Sequence, residues 1–413
     1  VFTRVLIPSL LLAALGWQLH QLAMQSRFRG IDEGFEDFLI ANSRARFDVT
    51  RVEDDGQVVV VAIPRELASE FDSWPPSPLE WHMILESVAA WEPELVVITE
   101  PLNWGDPPPD FVPALAKKIR SLPAVVLAVD AVLDPPGTPP QPAFWGGAGH
   151  RFPRYRRVAA MDAASLPSLK SLVVAPDPQL LPQSELGLPA PSSPEGLPAA
   201  VLSADSDAGN VLIPTLPSQA LSRALRSPYS FQRLRFGPGA GIHFDDGRFV
   251  PLSPDGWLPD APQLRPLTVS ALDLMAGPHL PLLDANTAAA AKRARVVVAG
   301  IAREDDDSLH QLARTLAGAL ALPVVQKLAP LWERVVWAAA GLVALALLVR
   351  GARGRSGGLT RAVLALFLGL TASWLAFEST LTWCPPTLPA VIVMGAGLLS
   401  SLFRKRPPAP PKP

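Results

Sequence analysis

The chain has 413 residues, room for one large or two ordinary domains beside a membrane part. Its formal net charge of −2 leaves no overall basic field with which to bind nucleic acid. A single cysteine, Cys384, excludes an intrachain disulfide and a thiolate metal cluster, and the scattered histidines show no metal-ligand spacing, so neither a metal nor a cofactor is expected.

The first apolar run, Val5–Met24, follows Arg4, and its cleanest part, Ile7 to Trp17, is as short as a signal-peptide core. No A-x-A cleavage site follows it, so an uncleaved signal anchor over residues 1–25 fits better than a cleaved leader. Gln57–Ile63, QVVVVAI, is a continuous β-branched run and predicts a fully buried strand. After the Trp74-Pro75-Pro76 turn, Ser77-Pro78-Leu79-Glu80 reads as a capping box with proline at the first helical position. Trp81, Ile84, Leu85 and Val88 then mark one apolar helix face. Pro93 stops that helix, and Leu95–Thr99 is the next buried strand. Asp110 is placed to cap a second helix with Phe111, Leu115, Ile119 and Leu122 inward, and Ala124–Asp130 predicts a third strand.

Strand, helix, strand, helix, strand with short links implies right-handed crossovers and a parallel sheet. Leu133–Pro266 is rich in Pro, Gly and Ser and predicts an insertion of short strands and long loops, with a helix over Ser218–Leu225 and a strand over Arg248–Leu252. The strand–helix pattern returns at Arg295–Ile301 and at Leu309, Leu312, Ala313, Leu316 and Leu320. The fold class expected is therefore an α/β domain, a partly parallel sheet flanked by helices with a loop-rich insertion, over residues 26–328.

Three apolar runs follow, predicting transmembrane helices over 332–350, 360–378 and 386–403. Arg350, Arg353, Arg355 and Arg361 separate the first two, and Arg404, Lys405 and Arg406 follow the last. No Lys or Arg lies between the second and third. By the positive-inside rule the arginine segments, with the Pro-rich tail 404–413, are cytoplasmic, and the α/β domain is extracytoplasmic. The tail after Arg406, PPAPPKP, predicts only an extended polyproline stub.

The motif search gives no catalytic constellation, so no enzyme activity is expected. Gly146-Gly147-Ala148-Gly149-His150 lacks the strand and the Lys-Ser/Thr pair of a phosphate loop. Arg151, Arg154, Arg156 and Arg157 beside it form a basic cluster suited to a solvated loop, or to contact with an anion or a lipid headgroup. Asp305-Asp306-Asp307 precedes a helix, where carboxylates complement the dipole and cap free amides. Ligands of open parallel sheets bind beyond the carboxyl ends of strands. Those ends carry Arg65 and Glu66, Glu100 with Trp104, Asp130, and Arg303, which are the candidate ligand-binding residues.

In order and spacing, several landmarks together resemble the second class of cyclase/histidine-kinase-associated sensory extracellular (CHASE) domains. They are Val58–Ile63, Trp74-Pro75, Ser77–Trp91, Leu95–Thr99, Asp205–Gly209, Pro217–Leu221, Ser270–Gly277 and Arg295–Gly300. Two acidic positions usual in that family depart here: Pro64-Arg65 follows the first strand, and Thr99-Glu100 ends the second. The resemblance implies a multi-pass protein of the bacterial inner membrane. It would sense an unknown extracytoplasmic ligand, commonly as a homodimer, and signal to a separate cytoplasmic kinase, cyclase or phosphatase. The alternative is a membrane-anchored scaffold with a degenerate sensory domain.

Overall fold

The computed structural model describes residues 18, 29–71, 74–105, 110–140, 152–159, 166–205, 209–237, 239–275, 283–303, 306–352 and 357–402. Apart from Gln18, the expected anchor run Val5–Met24 lies outside them, as do the tail, the glycine loop 146–150, Arg151 and Asp305. The chain divides into two compact units, Arg44–Pro323 on the one hand and Val1–Ser43 with Val324–Pro413 on the other.

The second of these opens, in chain order, with helix α1 (Arg29–Asn42). The α/β unit then runs β1 (Val58–Pro64), α2 (Pro78–Ala89), β2 (Leu95–Ile98), α3 (Val112–Ser121), β3 (Val125–Ala128), β4 (Asp130–Asp134), β5 (Ser168–Val174) and β6 (Glu185–Gly187). It continues with β7 (Ala200–Asp205), β8 (Gly209–Pro214), α4 (Leu216–Ala224), β9 (Arg233–Arg235), β10 (Gly241–His243) and β11 (Phe249–Pro251). It closes with β12 (Leu267–Ser270), α5 (Ala271–Met275), α6 (Ala285–Ala291), β13 (Val296–Ala302) and α7 (Ser308–Ala321).

The principal sheet has the order β12-β1-β13-β2-β3-β6, and every adjacent pair is parallel. The late strand β13 thus lies between β1 and β2, with Val59 opposite Val297 and Val298 opposite Val97. The continuous valine runs follow from this position. A central parallel strand is covered on both faces, so neither face calls for polar alternation. Val59, Val61 and Ile63 join Trp81, Ile84, Leu85 and Val88 of α2 in one core. Val58 and Val60 point to the other face, where α7 packs against β1 and β13.

The start of α2 is a complete capping box. The Ser77 hydroxyl accepts from the Glu80 amide at 3.3 Å, and the Glu80 carboxylate accepts from the Ser77 amide at 2.5 Å. The Trp74-Pro75 bond just before it is cis. Helix α3 departs from expectation. Its N-cap is Phe111, without a side-chain bond, so Asp110 is not the cap, and Phe111 is 47% exposed rather than inward. Proline within the first two helical positions leaves one fewer amide to satisfy there. Leu115, Ile119 and Leu122 are buried as the spacing requires.

The insertion is more ordered than its composition suggests. Strands β8-β7-β5-β4 form one sheet, and β11-β10-β9 with Val158–Ala159 form another. Val201, Leu202 and Ser203 of β7 are all buried, which erases the two-residue alternation that marks a half-exposed strand.

The other unit holds α1, α8 (Pro330–Ala352), α9 (Gly358–Thr380) and α10 (Thr387–Leu402). Among the described residues, two of its helices are long and apolar enough to cross a membrane, Pro330–Arg350 and Gly358–Thr380. The third expected span is a 16-residue apolar helix, about 24 Å at 1.5 Å per residue against a hydrocarbon core of roughly 30 Å. Large apolar side chains on α8 and α9, among them Leu342, Phe367 and Leu368, remain exposed. α9 and α10 approach through small residues: a Cβ on Gly397 would meet that of Ala362 at 2.5 Å. Asp32 of α1 caps α10, accepting from the Thr387 amide at 3.2 Å and its hydroxyl at 2.7 Å, and Ser43 bonds to Glu378.

Candidate ligand cleft

A parallel sheet brings all its strand ends of one polarity to one edge. At the carboxyl edge, β2 is followed by Thr99 and Glu100, β3 by Val129 and Asp130, and β13 by Arg303, Asp306 and Ser308, which opens α7. Because β13, β2 and β3 are neighbours in the sheet, these three loops meet in one cleft of about 520 Å³. The insertion closes over it with Pro189, Ala190, Leu197, Leu216 and Pro217.

Glu100 is the most constrained polar group there. Its Oε1 accepts from the Ile301 amide at 3.2 Å. Burial raises its pKa above the ordinary glutamate value; the Ile301 bond and Arg303 oppose that shift, whereas Asp130 and Asp306 add to it. Asp306 accepts from the Ser308 amide at 2.9 Å, satisfying one free donor at the start of α7. Asp307 instead binds Arg314 at 2.7 Å, and Arg314 also forks onto Asp260 at 2.8 and 3.1 Å. The acidic run therefore divides its work between capping, an ion pair and the cleft wall.

Of the six residues expected at the site, Glu100, Asp130 and Arg303 come together in this cleft. Arg65 and Glu66 do not line it. They open the 3-10 helix Arg65–Glu70 and are exposed, since the ends of β2 and β3 are on the far side of the inserted β13. Trp104 does not line it either: its indole donates to the Pro76 carbonyl at 2.9 Å and packs against the core, beside the turn before α2. Sequence reasoning missed Thr99 and Ser308 as wall residues, and Asp306 was legible only as a capping residue. Among the described residues, no group of three or more His, Cys, Asp or Glu side chains is arranged to hold a metal ion.

The cleft therefore sets three carboxylates against one guanidinium, beneath an apolar roof. Such a site can bind and orient a small polar molecule carrying a positive group. Compared with models of known protein families, with curated proteins and with solved structures, the chain matches none. Fold and cleft define its class: a mostly parallel α/β unit on a chain that also carries two apolar helices able to span a membrane.

Proposed function

We propose that this chain is a membrane-bound sensory receptor of the bacterial inner membrane. In this reading the α/β unit lies outside the cytoplasm and takes a small cationic or zwitterionic ligand at its carboxyl edge. The observation that carries the reading is the convergence of Glu100, Asp130 and Arg303, from three adjacent strands, on one roofed cleft. A ligand ammonium would pair with Glu100 and Asp130, and an anionic end would pair with Arg303.

Transmission follows from chain order. α7 contributes Ser308, Leu309 and Leu312 to the cleft and is the last helix before α8, the first candidate span. A ligand that prefers one position of α7 biases whatever that helix is joined to, in proportion to its differential affinity for the two states. The output is a separate cytoplasmic kinase, cyclase or phosphatase, consistent with the resemblance in landmark order to the second CHASE class.

A thermal-shift screen of the full chain in detergent, using small amines, amino acids and carboxylates, tests the reading. An amine or zwitterion present at a hundred times its Kd is expected to stabilise the unit by about 2.7 kcal/mol, and a plain carboxylate is not. If no amine or zwitterion stabilises the chain, the reading is wrong.

A further inference from the structure

The three apolar helices meet at one end and splay at the other. Away from the turn 381–386, Ala344 and Leu348 of α8, Ala362 of α9 and Ala396 of α10 are buried in one core. Towards that turn the helices separate around a cavity of about 240 Å³. Its walls come from within 336–343 of α8, 365–373 of α9 and 386–393 of α10, roughly two turns of each helix and so about 12 Å deep. Among the described residues the lining is apolar apart from Ser373 and Cys384. A Cβ on Gly369 would meet nothing within 4 Å, as a wall facing open space requires. α8 and α9 each pack along α10 but scarcely against each other, and Val343, on the wall, stays 37% exposed. The cavity is therefore open between α8 and α9 and closed at its base by the shared core.

Its mouth is polar. Cys384 lies there, directly after Thr382 and Trp383, which pair with Gln326 and Lys327. Lys327, Glu333 and Asp32 are near enough to act on the Cys384 thiol. An apolar body two turns deep beneath a charged rim repeats the layering of one bilayer leaflet.

We infer that this cavity takes one hydrocarbon chain of a membrane phospholipid, whose headgroup stays at the charged rim. The inference rests on the membrane reading of α8 and α9 and is independent of the ligand cleft. Apolar cavities stay dry and accept hydrocarbon; one of about 150 Å³ holds a benzene ring. Within a bilayer the solvent on the open side is lipid chain. A spanning helix of a second copy would need a groove of roughly 30 Å, and this one closes after about 12 Å.

The test reconstitutes the full chain in nanodiscs of phosphatidylcholine that carries a diazirine on one acyl chain. After irradiation, adducts are mapped to residues by mass spectrometry. Adducts are expected at Ala390 and Val393 on the cavity wall, and at Leu342 and Phe367, which are exposed. Gly369→Leu places a side chain in the open space. It should abolish the wall adducts while keeping those at Leu342 and Phe367 and the chain's thermal transition. Gly341→Leu, whose Cβ also meets nothing but which does not line the cavity, should leave the wall adducts in place. Adducts at Leu342 and Phe367 with none at Ala390 or Val393 would mean that protein covers the cavity, and the inference fails. It fails too if the wall adducts survive Gly369→Leu. Absence of adducts at all four positions would remove the membrane reading and the inference with it.

Discussion

Replacing Trp81 with alanine is expected to destabilise the α/β unit by about 3–5 kcal/mol, the largest effect of any single truncation considered for this chain. Trp81 is 1% exposed and lies on the first turn of α2, against the β1 valines and within a core that also holds Ile84, Leu85 and Val88. Removing the indole forfeits its transfer free energy and leaves a cavity that a parallel sheet, fixed on both faces, cannot collapse to fill. Phe111→Ala is the matching control. Phe111 looks equally apolar in sequence but is 47% exposed, so its loss should stay within about 0.5 kcal/mol. Urea unfolding of both variants in the full chain, followed by tryptophan fluorescence, gives the comparison. Equal shifts in midpoint would show that α2 does not pack as described.

Glu100→Gln is expected to weaken the cleft's cationic ligand by about 10- to 100-fold, the worth of a hydrogen bond to a charged group. It should also change how stability depends on pH. The folded-state pKa of Glu100 is raised, chiefly by burial, so the native unit holds this proton more tightly than the unfolded chain does. Stability contributed by the protonated form is therefore fully present at acid pH. It is lost as pH rises from the ordinary glutamate value through the raised one. Glutamine has no proton to lose. The variant's melting temperature should gain on wild type across that window and hold a constant lead above it. Ligand affinity moves the other way in wild type: it rises over the same window, as the carboxylate that pairs with the ammonium forms. Parallel pH profiles for the two proteins would remove Glu100 from the site.

The central architecture was legible because its signals are local. The valine runs of β1 and β13, the Ser77–Glu80 box and the Trp81–Val88 spacing each encode one element without reference to the rest. Strands β6 and β12 were not legible. Each is three or four residues long, and each exists because a parallel neighbour offers it hydrogen bonds. The cleft divided along the same line. Glu100, Asp130 and Arg303 could be named because parallel strands must end on one edge. Arg65 and Glu66 do not line the cleft because strand order is a tertiary fact: β13, late in sequence, separates β1 from β2. The roof residues Pro189, Leu197 and Pro217 carry no local signal, since only the path of the insertion brings them there.

The most direct test of the receptor reading is which side of the membrane the α/β unit occupies. A reporter inserted between β7 and β8, beside Gly209, answers it in a bacterial host. Alkaline phosphatase, which matures only outside the cytoplasm, should be active there, and a fluorescent protein that matures only in the cytosol should stay dark. Cytosolic fluorescence with an inactive phosphatase would contradict the account.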